Sequence, residues 1–158
     1  MILKEVKDVL LRKSSLTFSP DINIFMLDGL ELTLQSYNQV LSVQVAQQYE
    51  DDSLTTVNRY ACLFRLECGI RAFDAQDEQT EKVFFEIEAQ HDVIFDADAP
   101  VEINELESFS SEDIINAAVW PYWKEHVASL CSKAGLSPLQ LPPAQKNEPL
   151  KINSQRRL

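Results

Sequence analysis

The chain has 158 residues, 45% of them hydrophobic and 25% charged, with three glycines and a formal charge of −11. That is the length and apolar content of one folded domain, and it excludes a disordered chain. It also excludes a membrane span, since no run approaches the ~20 apolar residues of a crossing helix, and the acidic balance argues against a nucleic-acid partner.

Taken in order, residues 1–14 read as a short N-terminal helical extension, with Leu3, Val6, Val9 and Leu10 on one face. Lys4, Glu5, Lys7 and Asp8 break any apolar core of a secretory signal. Cys62, Cys68 and Cys131 lack disulfide-framework spacing, which fits free thiols in a cytoplasmic protein.

Four segments with period-two alternation follow, the mark of half-buried strands. The first carries Leu16, Phe18, Ile22, Ile24 and Met26, with Pro20 making it an edge or bulged strand. Asp28-Gly29 signals a turn. Leu41, Val43 and Val45 mark the second strand, the even residues from Tyr60 to Ile70 the third, and Val83, Phe85, Ile87, Ala89, Val93 and Phe95 the fourth. Polar clusters at 50–53 and 74–80 separate the last three strands as hairpin-like loops. Residues 74–113 hold fourteen acids against one lysine, whereas 146–158 form a basic tail of net +3.

A long helix is predicted over 111–134. Ser110 stands at its N-cap, Asp113 in its first turn, Lys133 in its last, and Gly135 at the C′ position. Pro121 sits mid-helix, where it removes a backbone hydrogen bond. Around it Trp120, Tyr122, Trp123 and Val127 extend the apolar character beyond one stripe. A single sheet covers one side of a helix, so this surplus predicts self-association through these four residues, the alternative being a broad core helix with one aromatic cluster. The expected fold is therefore α+β: a four-stranded antiparallel sheet packed by one long C-terminal helix, with a short N-terminal helix.

The run Trp120-Pro-Tyr-Trp-Lys-Glu125, followed by Ser129-Leu-Cys-Ser-Lys-Ala-Gly-Leu-Ser-Pro-Leu-Gln-Leu-Pro-Pro143, resembles the main helix and exit segment of the SecB family of protein-export chaperones. Leu16-Thr-Phe18, Leu34-Gln-Ser-Tyr37 and Val83-Phe-Phe-Glu-Ile-Glu88 resemble its strands and crossover. The resemblance covers residues 15–143, leaving 1–14 as an extension and 144–158 as a flexible basic tail. It implies an ATP-independent chaperone that keeps non-native polypeptides competent for export or folding, assembled as a homodimer or homotetramer. It places client grooves at Phe25, Met26, Leu34 and Tyr37 in the crossover and at Leu136, Leu139 and Leu141 after the helix. Core packing explains each of these residues taken singly; only the set points to a groove.

The resemblance also implies an acidic face toward the translocation ATPase SecA, matched here by Glu86 and Glu88, while Ser15 and Ser19 stand where two other acids would be. Lys146 replaces the aromatic that leads into a second helix. Some SecB-like proteins instead protect an antitoxin, which is the alternative reading.

Independent chemistry finds little support in the residues. Three glycines leave no phosphate-binding loop. Asp96-Ala-Asp-Ala-Pro100 has acids at calcium-loop spacing, but Pro100 and Val101 stand where that loop cannot take them. No Cys/His cluster has zinc spacing, so neither metal nor cofactor is expected. A Cys68–His91 nucleophile pair is the one enzymatic option. Against it, His91 shares the inward parity of Ala89 and Val93, which predicts a structural residue. An adaptor binding one folded partner is the third possibility.

Overall fold

The computed structural model describes residues 3–49, 57–74, 82–109 and 113–141. Strands β1 (Leu3–Phe18), β2 (Leu32–Tyr49), β3 (Val57–Asp74) and β4 (Val83–Ala97) are followed by helices α1 (Ile103–Phe109) and α2 (Asp113–Ala134). The strands form one antiparallel sheet in the order β1-β4-β3-β2. The β2–β3–β4 meander thus closes by bringing β1 alongside β4.

The two central strands carry the strictest alternation. On β3 every even residue from Cys62 to Ala72 is buried, and on β4 every odd residue from Phe85 to Ala97. Their register places Phe64 opposite Val93 and Leu66 opposite His91, so both sets share one face. Against that face α2 lays Ile115, Val119, Trp123, Val127 and Cys131, all buried and four residues apart. Burying each of the larger side chains contributes about 1.5–3 kcal/mol. The helix packs on β1 and β4, and α1 on β2, anchored by the buried Val101 and Leu106. The sequence reading did not anticipate α1.

The expected N-terminal helix is instead the first three quarters of β1, which runs unbroken past position 14. Register shifts between Val6 and Asp8 and between Leu11 and Lys13 explain the misreading. They put Val6, Val9, Leu11, Ser14, Leu16 and Phe18 opposite the inward residues of β4. Spacings of three and two alternate from Val6 to Leu16, and they imitate a helical period. The strand also ends earlier than expected. Ser19 closes it by donating its amide to Phe84 O at 3.0 Å, and Pro20 opens the turn that follows. Ile22, Ile24 and Met26 therefore belong to the crossover. β1 is an edge strand with register shifts, although Pro20, expected within it, lies outside.

β2 begins nine residues before Leu41. A shift between Val40 and Ser42 swaps its inward residues from Leu34, Ser36, Asn38 and Val40 to Val43 and Val45. That phase break hid its first half.

α2 runs straight through Pro121, whose ring is exposed to solvent. Its end follows the predicted stop: Gly135 takes φ +73°, Leu136 N donates to Cys131 O at 2.9 Å and Gly135 N to Ser132 O at 3.3 Å. These two bonds satisfy carbonyls that a helix end otherwise leaves free. The predicted cap Ser110, the hairpin loops and the basic tail lie outside the described residues. No helix among those residues is long and apolar enough to cross a membrane.

The face turned away from α2 is polar and cross-braced. Arg65 holds Asp92 at 2.8 Å, Arg12 approaches the same carboxylate at 3.7 Å, and Arg71 lies 3.3 Å from Glu86. Tyr37 lies across Gly69, its partner in the β2–β3 register, and a Cβ at position 69 would overlap its ring. Gly69→Ala should therefore force the tyrosine off the sheet and cost about 1–3 kcal/mol. Urea denaturation checks this, and adding Tyr37→Ser should recover most of the loss, because the collision goes with the ring.

Candidate functional site: an apolar groove beside the long helix

The exit segment after Gly135 turns back along α2 and leaves a groove between them. Its walls are Trp120, Val127, Ala128 and Cys131 of the helix and Leu136, Pro138, Leu139 and Leu141 of the exit, around a cavity of about 360 Å³. Leu136, Leu139 and Leu141 are half-buried and rest on the core while one side faces the cavity. Among the described residues, Ser132 and the exposed Lys124 carry the hydroxyl and the charge in the lining. Lys124 Nζ sits 5.9 Å from the Trp120 ring centre.

The crossover reaches the same end of the molecule. Its 3₁₀ turn, Ile24–Leu27, is capped by Asn23 Oδ1, which accepts from Phe25 N at 3.0 Å and Met26 N at 3.3 Å. Leu27 anchors this turn in the core. Ile24 Cγ1 would lie 3.9 Å from a Cβ on Gly135, so crossover and exit segments adjoin. Phe25 is 85% exposed and Met26 47%, two large apolar side chains presented to solvent beside the groove's end.

Two crossover residues fall elsewhere. Leu34 lies within β2 and packs half-buried on the core. Tyr37 lies on the opposite face of the sheet, where its hydroxyl donates to Glu88 and, at 3.2 Å, to Glu86. Burial and the Glu88 carboxylate push this phenol well above the usual tyrosine range, and Arg71 lies 5.5 Å from its ring centre. Tyr37 is thus removed from the groove by the early start of β2. The signal that could have placed it was Gly69, since a glycine inside a strand marks a close approach.

The same contacts engage the two acids expected to face a partner: Glu86 with Arg71 and Tyr37, Glu88 with Tyr37. The four helix residues expected at an interface also divide. Trp123 and Val127 are 4% and 2% exposed and belong to the subunit's own core, because they share the four-residue stripe that meets the sheet. Val127 and Trp120 also line the groove. Tyr122 remains free on the outer flank with Ile114.

His91 of β4 points into the core, 2% exposed, with no hydrogen-bond partner for Nδ1 among the described residues. Its ring lies edge to face on His126 of α2, 6.3 Å between ring centres, while Cys68 stands opposite Ala89 in the register. Ser14 Oγ lies 2.7 Å from His126 Nε2, tying β1 to the helix. The sequence reading did not foresee this Ser–His contact, and no carboxylate bonds to His126 among the described residues. Burial raises the Cys68 thiol to about 12, with Glu67 adding to the effect, so it is no thiolate at neutral pH. No group of three or more metal-ligating side chains occurs among the described residues.

Burial, then the neighbouring His126, holds His91 below the usual histidine range, against a small opposing pull from Asp92; burial, then Lys133, does the same to His126. A histidine depressed in the folded state contributes full stability above its unfolded pKa of ~6.5 and loses it as pH falls below that value. The urea midpoint should therefore drop between about pH 6.5 and 5, above the range of ordinary carboxylates near ~4. Replacing both histidines by Gln should flatten that limb of the profile.

No family model matches this sequence, and no curated protein matches it. Among solved structures, the fold is similar to Rv1957, a SecB-like chaperone of Mycobacterium tuberculosis, solved in complex with a ChAD peptide from the HigA1 antitoxin. The likeness covers 87% of this chain and 88% of that one, with a TM-score of 0.55 and 19% identity. The chain therefore has the fold of a SecB-like chaperone.

Proposed function

We propose that this chain is a chaperone subunit that holds extended, non-native polypeptide in the groove between α2 and its exit segment, without nucleotide or cofactor. The observation that carries this reading is the groove itself: a solvent-accessible cavity of about 360 Å³ walled by leucines and Trp120, with few polar groups to satisfy. Sequence-tolerant capture of unfolded chains asks for that composition. The exposed Phe25 and Met26 extend the apolar surface at the adjoining crossover.

A second reading, a chaperone dedicated to an antitoxin, is favoured by the similarly folded chaperone that was solved with an antitoxin peptide. Export through SecA draws less support, since Glu86 and Glu88 are already engaged within the subunit. An enzyme built on Cys68 and His91 is disfavoured by the protonated thiol and by the contact of His91 with His126. We further assign self-association to the exposed side of β1, where Leu10 and Leu11 are about half exposed (49% and 53%) on an edge strand. Suppression of aggregation across several unrelated denatured proteins is the test. A general chaperone protects all of them, whereas a dedicated one protects its cognate client alone, so protection of none overturns the general reading.

A further inference from the structure

We propose that Lys124 makes the groove selective for client segments carrying an acidic side chain beside their apolar anchor. The inference rests on the reading of this groove as the client site and names the chemistry it prefers. Among the described residues, Lys124 is the only charged one in the groove's lining. It makes no ion pair among the described residues, in contrast to Arg12, Arg59, Arg65, Arg71 and Lys82, each of which has a carboxylate partner. The Trp120 face, 5.9 Å from Nζ, holds the ammonium over the groove without neutralising it. Glu125 follows directly on the helix, but successive residues stand about 100° apart around the axis, and Glu125 does not line the cavity.

An apolar wall lowers the local dielectric, so a carboxylate brought to Lys124 by a seated client pairs more strongly than the same two groups would in open water. A leucine or phenylalanine of the client fills the cavity, and the neighbouring residue then meets the ammonium. The local preference runs against the net charge of −11, which would favour basic clients at long range.

The test uses the full-length protein and two short fluorescent peptides, identical but for Glu or Gln beside a Leu-Phe anchor. By anisotropy the Glu peptide should bind the wild type about tenfold tighter, equivalent to ~1.4 kcal/mol. Lys124→Gln should bring the ratio to about one, Lys124→Arg should keep it, and 1 M salt should shrink it as the screening length falls to ~3 Å. Leu139→Ser should weaken both peptides while leaving the ratio. Equal binding of the two peptides by the wild type, or a preference that survives Lys124→Gln, overturns the inference; if Leu139→Ser still weakens both, the groove itself stands. Failure of both peptides to bind the wild type overturns the inference and the groove together.

Discussion

Replacing Leu136 and Leu139 by Ser should abolish the holding of unfolded clients while leaving the subunit folded and assembled. Both side chains divide their surface between the core and the cavity. Full burial of a leucine is worth about 1.5–3 kcal/mol, and part of each is already covered, so about 1.5 kcal/mol of client contact is the share at stake per residue. Two such losses approach 3 kcal/mol, or roughly a hundredfold in affinity. Holding that depends on apolar burial should also persist at 1 M salt, where charge-driven capture fails because screening acts over ~3 Å. The measurement is light scattering of a chemically denatured client with wild type or double variant, at low and high salt, with circular dichroism confirming the fold. Undiminished holding by the double variant, or release by salt alone, would place client binding elsewhere. Tyr37→Ser serves as the control on the opposite face of the sheet. It should leave holding intact.

That control inverts what the sequence suggested for Tyr37, and the reason is instructive. Helix α2 and its stop were legible because each signal is local: a four-residue apolar stripe, Lys133 in the last turn, Gly135 at the end. β3 and β4 were legible because central strands buried on one face alternate without interruption. The edge strands were not. Register shifts in β1 and near Val40 in β2 change which parity faces inward, and a pattern with alternating spacings of two and three fits neither template cleanly. The exit leucines lie beside α2 because the Gly135 turn fixes where the chain must go. The Ser14–His126 and His91–His126 contacts could not be read, because they join elements far apart in sequence. Lys124 cannot be singled out from the sequence for the opposite reason: an exposed lysine on a helix is ordinary until the wall beside it is known.

Wild-type protein at tens of micromolar should scatter light as a dimer or a dimer of dimers, and Leu10→Lys with Leu11→Lys should reduce it to monomer. β1 presents one edge of the sheet, and along it Leu10 and Leu11 are 49% and 53% exposed on opposite faces of the strand. An unpaired edge with apolar side chains is a template for another strand. A second copy of β1 would satisfy it by two-fold antiparallel pairing, the commonest symmetry for a homodimer. Extending the sheet in this way carries the two copies of α2 on the same face. Ile114 and Tyr122, about half exposed on the outer flank of α2, then offer a second contact that could join two such dimers. Charges on both faces of the edge oppose strand pairing, and a loss of about 3 kcal/mol or more would raise the dissociation constant roughly a hundredfold. Tyr122→Glu should instead stop assembly at the dimer. Sedimentation showing a wild-type monomer would remove the assembly model. A double-lysine variant that stays fully assembled would move the primary contact from the strand edge to the helix flank.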